Sequence, residues 1–529
     1  MNHRICAIGI DAANADLIEC WRDELPNIDA LIRRGRYGRT RGLDGFFVGS
    51  TWPSFYTGLS PAGHGHHSLV QLRPGSYDYH RMADGALVAG KPFWDQLSAA
   101  GKRVAVMDVP LSQISPGLNG VQTVEWGSHD ALYGFQAVPT TLQREITSRF
   151  GAHPLGNSCD GARNSPRDYR LFIDKLTGAV ATKAALTKHV LTLEPWDFAL
   201  QVFTEAHCAG HQCWHLHDRA HPEHPSSIIA EIGDPLREVY HAIDAAIGDI
   251  CSALDDEVVV VLFAAHGMSY WYGAQFMLPE ILYKLGVTRP PQIQLETASF
   301  ANRIGAFATS CWQQLPDNMR AQLRPLRDRV LRGNQISDSL PSLNVDVARS
   351  QCLPVINGLA VGGIRLNLKG REPAGVIEPG SEADGFVAAL RADLLAITDL
   401  RTGHRLIRDV RRTRDLYAGH CIDALPDLLV EWNDEVPTGS RSVGMGRAAT
   451  VVARSEKIGE VTGTNSYGRT GEHRRDGFCV FAGPGIESGA LDSGVSLLDL
   501  APTLSALLGV EMQDHDGRVL SDVCPQEGR

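Results

Sequence analysis

FALQVFTEAHCAGHQCWH, residues Phe198–His215, joins an unbroken apolar run to a cluster of coordinating side chains. The run Phe198–Phe203 has the length and bulk of a buried strand. Residues just past the carboxyl end of such a strand face the crevice where open α/β sheets bind ligands. His207 and His211 are four apart, so one helical turn puts both imidazoles on the same face, where they can grip a single metal ion. Cys208 and Cys213 read as packing thiols instead.

The same logic recurs on either side of this stretch. Arg4–Ile10 is strand-like and runs into Asp11, and Val258–Phe263 is the most strand-like run in the chain, ending at His266-Gly267-Met268. A further histidine, His473, stands just ahead of the apolar run Phe478–Phe481. Asp11, His207, His211, His266 and His473 together offer one carboxylate and four imidazoles, a donor set suited to Zn²⁺ or a similar first-row ion.

Strand-like runs alternate with helical patterns. Ile28, Leu31 and Ile32 mark one helix stopped at Gly35, and Pro92-Phe93-Trp94 opens another before the strand-like Val104–Met107. Leu236, Tyr240, Ile243, Ile247 and Ile250 recur at the helical period, and a final helix runs from Asp499 to Leu508. This alternation predicts a doubly wound α/β fold with a mostly parallel sheet and helices on both faces. The character changes between residues 275 and 424, where arginines recur at Arg320, Arg324, Arg327, Arg329 and Arg332 and a Gly-rich run spans Asn357–Gly363. We read 275–424 as an inserted, cap-like α+β region, and 1–274 with 425–525 as the metal-binding core.

Bulk properties narrow the function. The chain has 529 residues, 43% hydrophobic and 21% charged, with a net charge of −11. That balance fits a globular enzyme and argues against nucleic acid as the main partner. No apolar run reaches the roughly 20 residues needed to cross a bilayer. The first residues enter a strand almost at once, leaving no room for a signal peptide. The 11 cysteines are irregularly spaced and read as reduced thiols, so the expected location is cytoplasmic. Oligomeric state is left open.

The loop GLDGFFVGSTWPSFYTGLSPAGHGHH (42–67) is long enough to be functional. Within it, Thr51 lies in Gly49-Ser50-Thr51-Trp52-Pro53, and its hydroxyl becomes a nucleophile if a bound metal lowers its pKa.

Read in order, GIDAANADLI, LPNIDALIRRGRYG, STWPSFYTGLSPAGHGHH, TEAHCAGHQCW, AAHGM, LPDLLVEW and TGEHRRDGFCVFAGPGI resemble the alkaline phosphatase superfamily. The resemblance is to its type I phosphodiesterase/nucleotide pyrophosphatase branch and the bacterial phosphohydrolase and phosphomutase relatives, and it runs nearly end to end. It implies two metal sites, one held by Asp11, Thr51 and His266 and the other by His207, His211 and His473. It implies Thr51 as a nucleophile that becomes phosphorylated and is then hydrolysed or passes the group to an acceptor. The expected substrate is a small phosphate mono- or diester, with sulfuryl esters also within the superfamily's range.

The chain departs from the family pattern at both metals. His207 and Ala265 stand where the family has aspartates. An imidazole at 207 can still coordinate, giving a three-histidine site; a methyl group at 265 has no lone pair. With two divalent ions bound, the site would be about two charge units more positive than the family pattern. The expectation is therefore one tight divalent ion, most readily Zn²⁺ with Mn²⁺ or Fe²⁺ as alternatives, and a second ion left open. Glu205, His64, His66, His67 and His129 are candidates to replace the missing ligand. The alternative function is a non-catalytic or chemically diverged relative carrying a single three-histidine zinc site.

Overall fold

The computed structural model describes residues 3–524 apart from 84–89, 128, 130, 157–158, 162, 164, 292–339, 441–448 and 493. The arginine run at Arg320–Arg332 lies outside the described residues.

A ten-stranded mixed sheet forms the centre of the molecule. Its strands include β1 (Arg4–Ile10), β2 (Arg36–Arg41), β3 (Val104–Met107), β4 (Gly120–Val124), β5 (Gln136–Val138), β6 (Phe198–Phe203) and β7 (Val258–Ala264). Two later strands matter for the site, β8 (Gly267–Tyr270) and β9 (Gly471–Arg474), and β10 (Gly477–Ala482) returns to the central sheet. Across that sheet the order is β2, β10, β7, β1, β6, β3, β4, β5.

The pairs β7–β1, β1–β6, β6–β3 and β3–β4 are parallel, whereas β10 runs antiparallel to β7 and β2. β1, β6 and β7 are buried along almost their whole length because helices cover both faces, so they read as continuous apolar runs instead of alternating ones.

Two apolar cores lie on opposite faces of the sheet. One gathers Phe55, Phe93, Phe198 and Phe263 under α1 (Thr51–Thr57). The other gathers Ile8, Leu262 and Phe478 under α2 (Pro166–Leu193), α3 (Glu205–His217) and α4 (Pro235–Cys251). α4 starts where Asp234 caps it, its side chain accepting from the Leu236 and Arg237 amides, with Pro235 in the first turn. The stretch expected as one long loop at 42–67 contains α1 and a short helix, Pro61–His64.

Beyond the central sheet, Cys352–Val355, Val361–Leu366, Leu428–Trp432 and Ile407–Arg412 form a four-stranded sheet in that order. Strand pairing thus crosses the boundary expected at residue 424, because Leu428–Trp432 is hydrogen-bonded to strands on its N-terminal side. A three-stranded sheet crosses it likewise, joining Thr398–Asp399 to Thr450–Ser455 and Gly459–Thr464. No described helix is long and apolar enough to cross a membrane.

Candidate metal centre

β6, β1 and β7 are sheet neighbours, so their carboxyl ends deliver side chains to one place. Asp11 follows β1, with its amide continuing the ladder to the Phe203 carbonyl oxygen at 2.8 Å. α3 begins two residues after β6 and carries His207 and His211 on one face. His266 lies two residues past β7.

His473 arrives differently. β9 pairs antiparallel with β8, which sets His473 opposite Met268. β9 can approach α3 only because two glycines meet: a Cβ on Gly471 would lie 2.1 Å from the Gly210 carbonyl oxygen. A glycine inside a helix costs roughly 0.5–1 kcal/mol relative to alanine. Here the strand passes close enough for the Thr470 amide to donate to the His211 carbonyl oxygen at 2.7 Å.

A small cavity of about 40 Å³ is lined by Asp11, Thr51, His129, His207, His266 and His473, among others. His211 stands behind this lining, its ring centroid 4.4 Å from that of His207. One ligand atom from each of His207, His211 and His473 lies within 4.8 Å of the others, and all three residues are buried. The Nε2 atoms of His207 and His473 are 2.9 Å apart. His211 Nδ1 donates to the Gly471 carbonyl oxygen at 2.8 Å, which leaves Nε2 as the coordinating nitrogen.

Burial, and then the neighbouring histidines, push the pKa of His207 well below its ordinary value. Burial also leads for His211 and His473, reinforced by Arg469 and other histidines. Burial alone takes His266 down to about 4. All four rings are therefore neutral near pH 7, the form that binds metal. The Nδ1 atoms of His207, His266 and His473 are buried without a hydrogen-bond partner. Orphaned imidazole nitrogens of this kind suit a divalent first-row ion.

The Thr51 side is sparser. Thr51 opens α1 and is 3% exposed, its hydroxyl donating to the Phe47 carbonyl oxygen at 3.1 Å. Asp11 Oδ1 accepts from Trp52 Nε1 at 3.0 Å and lies 3.9 Å from His266 Nδ1. That gap is too long for a hydrogen bond. It matches two ligands each about 2.0–2.2 Å from a shared ion. Ala265 is fully buried and contributes only its methyl group.

The candidates for a replacement ligand divide clearly. Glu205 turns away to Lys183 Nζ at 3.2 Å and His153 Nε2 at 3.3 Å. Burial pushes its carboxyl up, but Lys183 and His153 outweigh that and hold it ionised. His64 Nε2 lies 2.8 Å from Ser54 Oγ, and neither His64 nor His66 nor His67 lines the cavity. His129 does line it, with its ring centroid 4.5 Å from that of His207. Cys213 packs in the apolar core, but Cys208 does more than pack: its Sγ is 3.7 Å from His129 Nδ1. Cys159 Sγ is closer to the same nitrogen, at 3.2 Å. Burial raises the Cys159 thiol, yet the hydrogen bond from Cys208 and the His129 ring together take it down to about 5.

Two further groups have no counterpart among the residues singled out by sequence. Lys183 is fully buried on α2 and donates to the carbonyl oxygens of Gly127 and Val202 and to Thr204 Oγ1, each at 3.2 Å. It thereby ties the start of α3 to the loop leading to His129. Its signal was available: a lysine on the apolar stripe of Leu176, Val180, Ala184 and Val190. Arg469 places Nη1 3.5 Å from His211 Nε2 and Nη2 3.3 Å from His129 Nε2, and is held by Asp160 at 2.8 and 2.9 Å. Nothing in its local sequence marks it.

A family model for type I phosphodiesterase/nucleotide pyrophosphatase matches residues 5–278, just over half of the chain. Phosphonoacetate hydrolase from Sinorhizobium meliloti, solved with phosphonoformate, is 12% identical at a TM-score of 0.50, with 96% of this chain and 95% of that chain covered. Murine ectonucleotide pyrophosphatase/phosphodiesterase 5, an inactive variant solved with AMP, is 10% identical at a TM-score of 0.46, covering 97% of each chain. Its human counterpart is 10% identical at 0.47, covering 98% of this chain and 99% of that chain. No curated protein matches. The chain belongs to the type I phosphodiesterase/nucleotide pyrophosphatase family of the alkaline phosphatase superfamily, and that membership supports phosphoester hydrolase activity.

Proposed function

We propose that this protein is a metal-dependent phosphoesterase that uses Thr51 as its nucleophile on a small phosphate mono- or diester. The observation that carries this reading is the convergence of a buried hydroxyl, one carboxylate and several neutral imidazoles on one cavity. His207, His211 and His473 would hold one divalent ion, and Asp11 and His266 with Thr51 would hold a second more weakly. Such an ion lowers the pKa of a neighbouring hydroxyl and offsets negative charge on the phosphoryl oxygens.

Within the chain, Thr51 gives up its hydrogen bond to the Phe47 carbonyl oxygen and its hydroxyl proton passes to solvent as Oγ1 attacks phosphorus, while the leaving oxygen departs on the opposite side and takes up a proton from solvent. The product is a phosphothreonine, which water or an acceptor alcohol then resolves, restoring the hydroxyl. Trp52 Nε1 holds Asp11 in place through this sequence. The aromatic faces of Phe47 and Trp52 beside Thr51 limit water around it. Beyond Phe47 lies a cleft of about 710 Å³, lined by arginine–carboxylate pairs that include Arg408 and Arg411. This cleft would take the part of the substrate that does not react.

A panel of phosphate monoesters, phosphate diesters, sulfate esters and carboxyl esters tests the proposal with wild-type and Thr51→Ala protein. Turnover of a phosphate ester that disappears in Thr51→Ala, with metal content retained, supports it; equal turnover by both proteins overturns the nucleophile assignment. Ala265 favours a second reading, in which one zinc at the three histidines is the whole metal centre. Under that reading no phosphate ester is turned over although the ion binds tightly.

A further inference from the structure

Beside the cavity lies a second cluster of donors that phosphoester chemistry does not use. His129, Cys159 and Cys208 each present one ligand atom within 4.8 Å of the other two, and all three are buried. Among the described residues only this trio and the three histidines form such a group. The donors come from separate parts of the chain: His129 and Cys159 from irregular segments on either side of the helix Thr140–Phe150, and Cys208 from α3. His129 Nδ1 is the focus, 3.2 Å from Cys159 Sγ and 3.7 Å from Cys208 Sγ.

We infer that His129, Cys159 and Cys208 form a binding site for a thiophilic divalent ion, Zn²⁺ in the first instance, distinct from the three-histidine cluster that it abuts. Two cysteines and one histidine are a donor set that zinc takes readily, and they leave a four-coordinate ion one position short. Two thiolates would neutralise the ion's charge, in a pocket whose cavity lining contributes only the Asp11 carboxylate. The His129 ring packs 4.5 Å from His207, so an ion here neighbours one held by His207, His211 and His473.

The protons balance without a redox partner. Arg469 donates to His129 Nε2, so Nδ1 carries the ring proton in the metal-free chain. On loading, that proton moves to Nε2, the Arg469 contact passes to Asp160, which already accepts from the same nitrogen at 2.8 Å, and both sulfurs bind as thiolates, Cys208 giving up its proton to solvent.

Cobalt titration of the reduced, metal-stripped full-length protein tests this without any assay of activity. Thiolate coordination gives a near-ultraviolet sulfur-to-cobalt charge-transfer band that histidine ligands do not give. The expected result is that band in wild type, its loss in Cys159→Ser and in Cys208→Ser, and its survival in His473→Ala. Zn²⁺ loading should also slow alkylation of Cys159 and Cys208 by iodoacetamide in wild type, a readout that holds even if a serine variant fails to fold. A wild-type titration without the band, a band that survives the double serine variant, or thiols that zinc does not protect would each overturn the site. Phosphoester turnover and its dependence on Thr51 stand or fall separately, because Thr51→Ala leaves these sulfur signals unchanged.

Discussion

The three-histidine cluster, with His207 and His473 on the cavity and His211 behind them, and the trio Asp11, Thr51 and His266 meet at one cavity, yet they are assembled in different ways. The histidine side is braced from behind: Gly471 accepts from His211, the Gly210–Gly471 contact presses β9 onto α3, and Lys183 fixes the start of α3. Its donor atoms already converge within 4.8 Å. On the threonine side, Asp11 and His266 stand 3.9 Å apart, and Ala265 offers no donor at all. On the proposed reading, the site keeps its nucleophile while its metal affinity shifts to the histidine half. Under the proposed ligand assignment, the imidazole at 207 keeps a ligand where the family pattern has a carboxylate, whereas the methyl group at 265 removes one.

The largest effect should come from Thr51→Ala, with a fall in kcat of roughly 10⁴-fold or more, the scale seen when a covalent nucleophile is removed. Metal bound at the histidines should be unchanged by elemental analysis, which would separate chemistry from metal holding; parallel loss of metal would merge the two halves.

Next in size is Lys183→Met. It strips the cation from between Asp108 and Glu205, leaving two buried carboxylates without it. Breaking a buried ion pair this way costs about 3–5 kcal/mol. Urea unfolding should show that loss, and a stability within about 0.5 kcal/mol of wild type would mean α3 is not anchored through Lys183.

Ala265→Asp should strengthen the poorer half by about tenfold or more in affinity for a second ion, measured by calorimetric metal titration. An unchanged isotherm would show that the missing carboxylate is not what separates the two sides.

The smallest effect concerns Asp44, whose carboxylate joins the segment leading to Thr51 to Arg475, two residues beyond His473. Burial pushes Asp44 up, but Arg475, Arg41 and Arg411 outweigh it and hold its pKa below the ordinary carboxylate value. A depressed folded pKa adds stability above the unfolded value of about 3.9 and loses it as pH falls through the folded value. Stability should decline below roughly pH 4 by under about 1 kcal/mol from this group. Asp44→Asn should flatten that acid limb, and an identical pH profile would remove Asp44 from the link between halves.

Much of this arrangement was legible in the sequence because it follows strand ends. Asp11, His207, His211 and His266 each follow an apolar run, and runs that are adjacent and parallel in the sheet bring their ends together. Thr51 was readable as a special hydroxyl between Gly49 and Pro53, though the stretch expected as loop forms a helix there.

Long-range placement was not legible. Lys183 bonds residues from Gly127 to Thr204, and Arg469 reaches His129 across 340 positions. His129 and Cys159 lie in segments with no periodicity, so no local pattern could bring them to Cys208. The partner strands of Leu428–Trp432 depend on a pairing that apolar character alone does not specify.

The contrast between the two halves is tested most directly by anomalous scattering from crystals of the metal-loaded protein at the zinc edge. The expected result is a full-occupancy ion bound by His207, His211 and His473 with metal–nitrogen distances of about 2.0–2.1 Å, and a weaker peak or none between Asp11 and His266. A full-occupancy ion at Asp11 and His266 with no peak at the three histidines would contradict it.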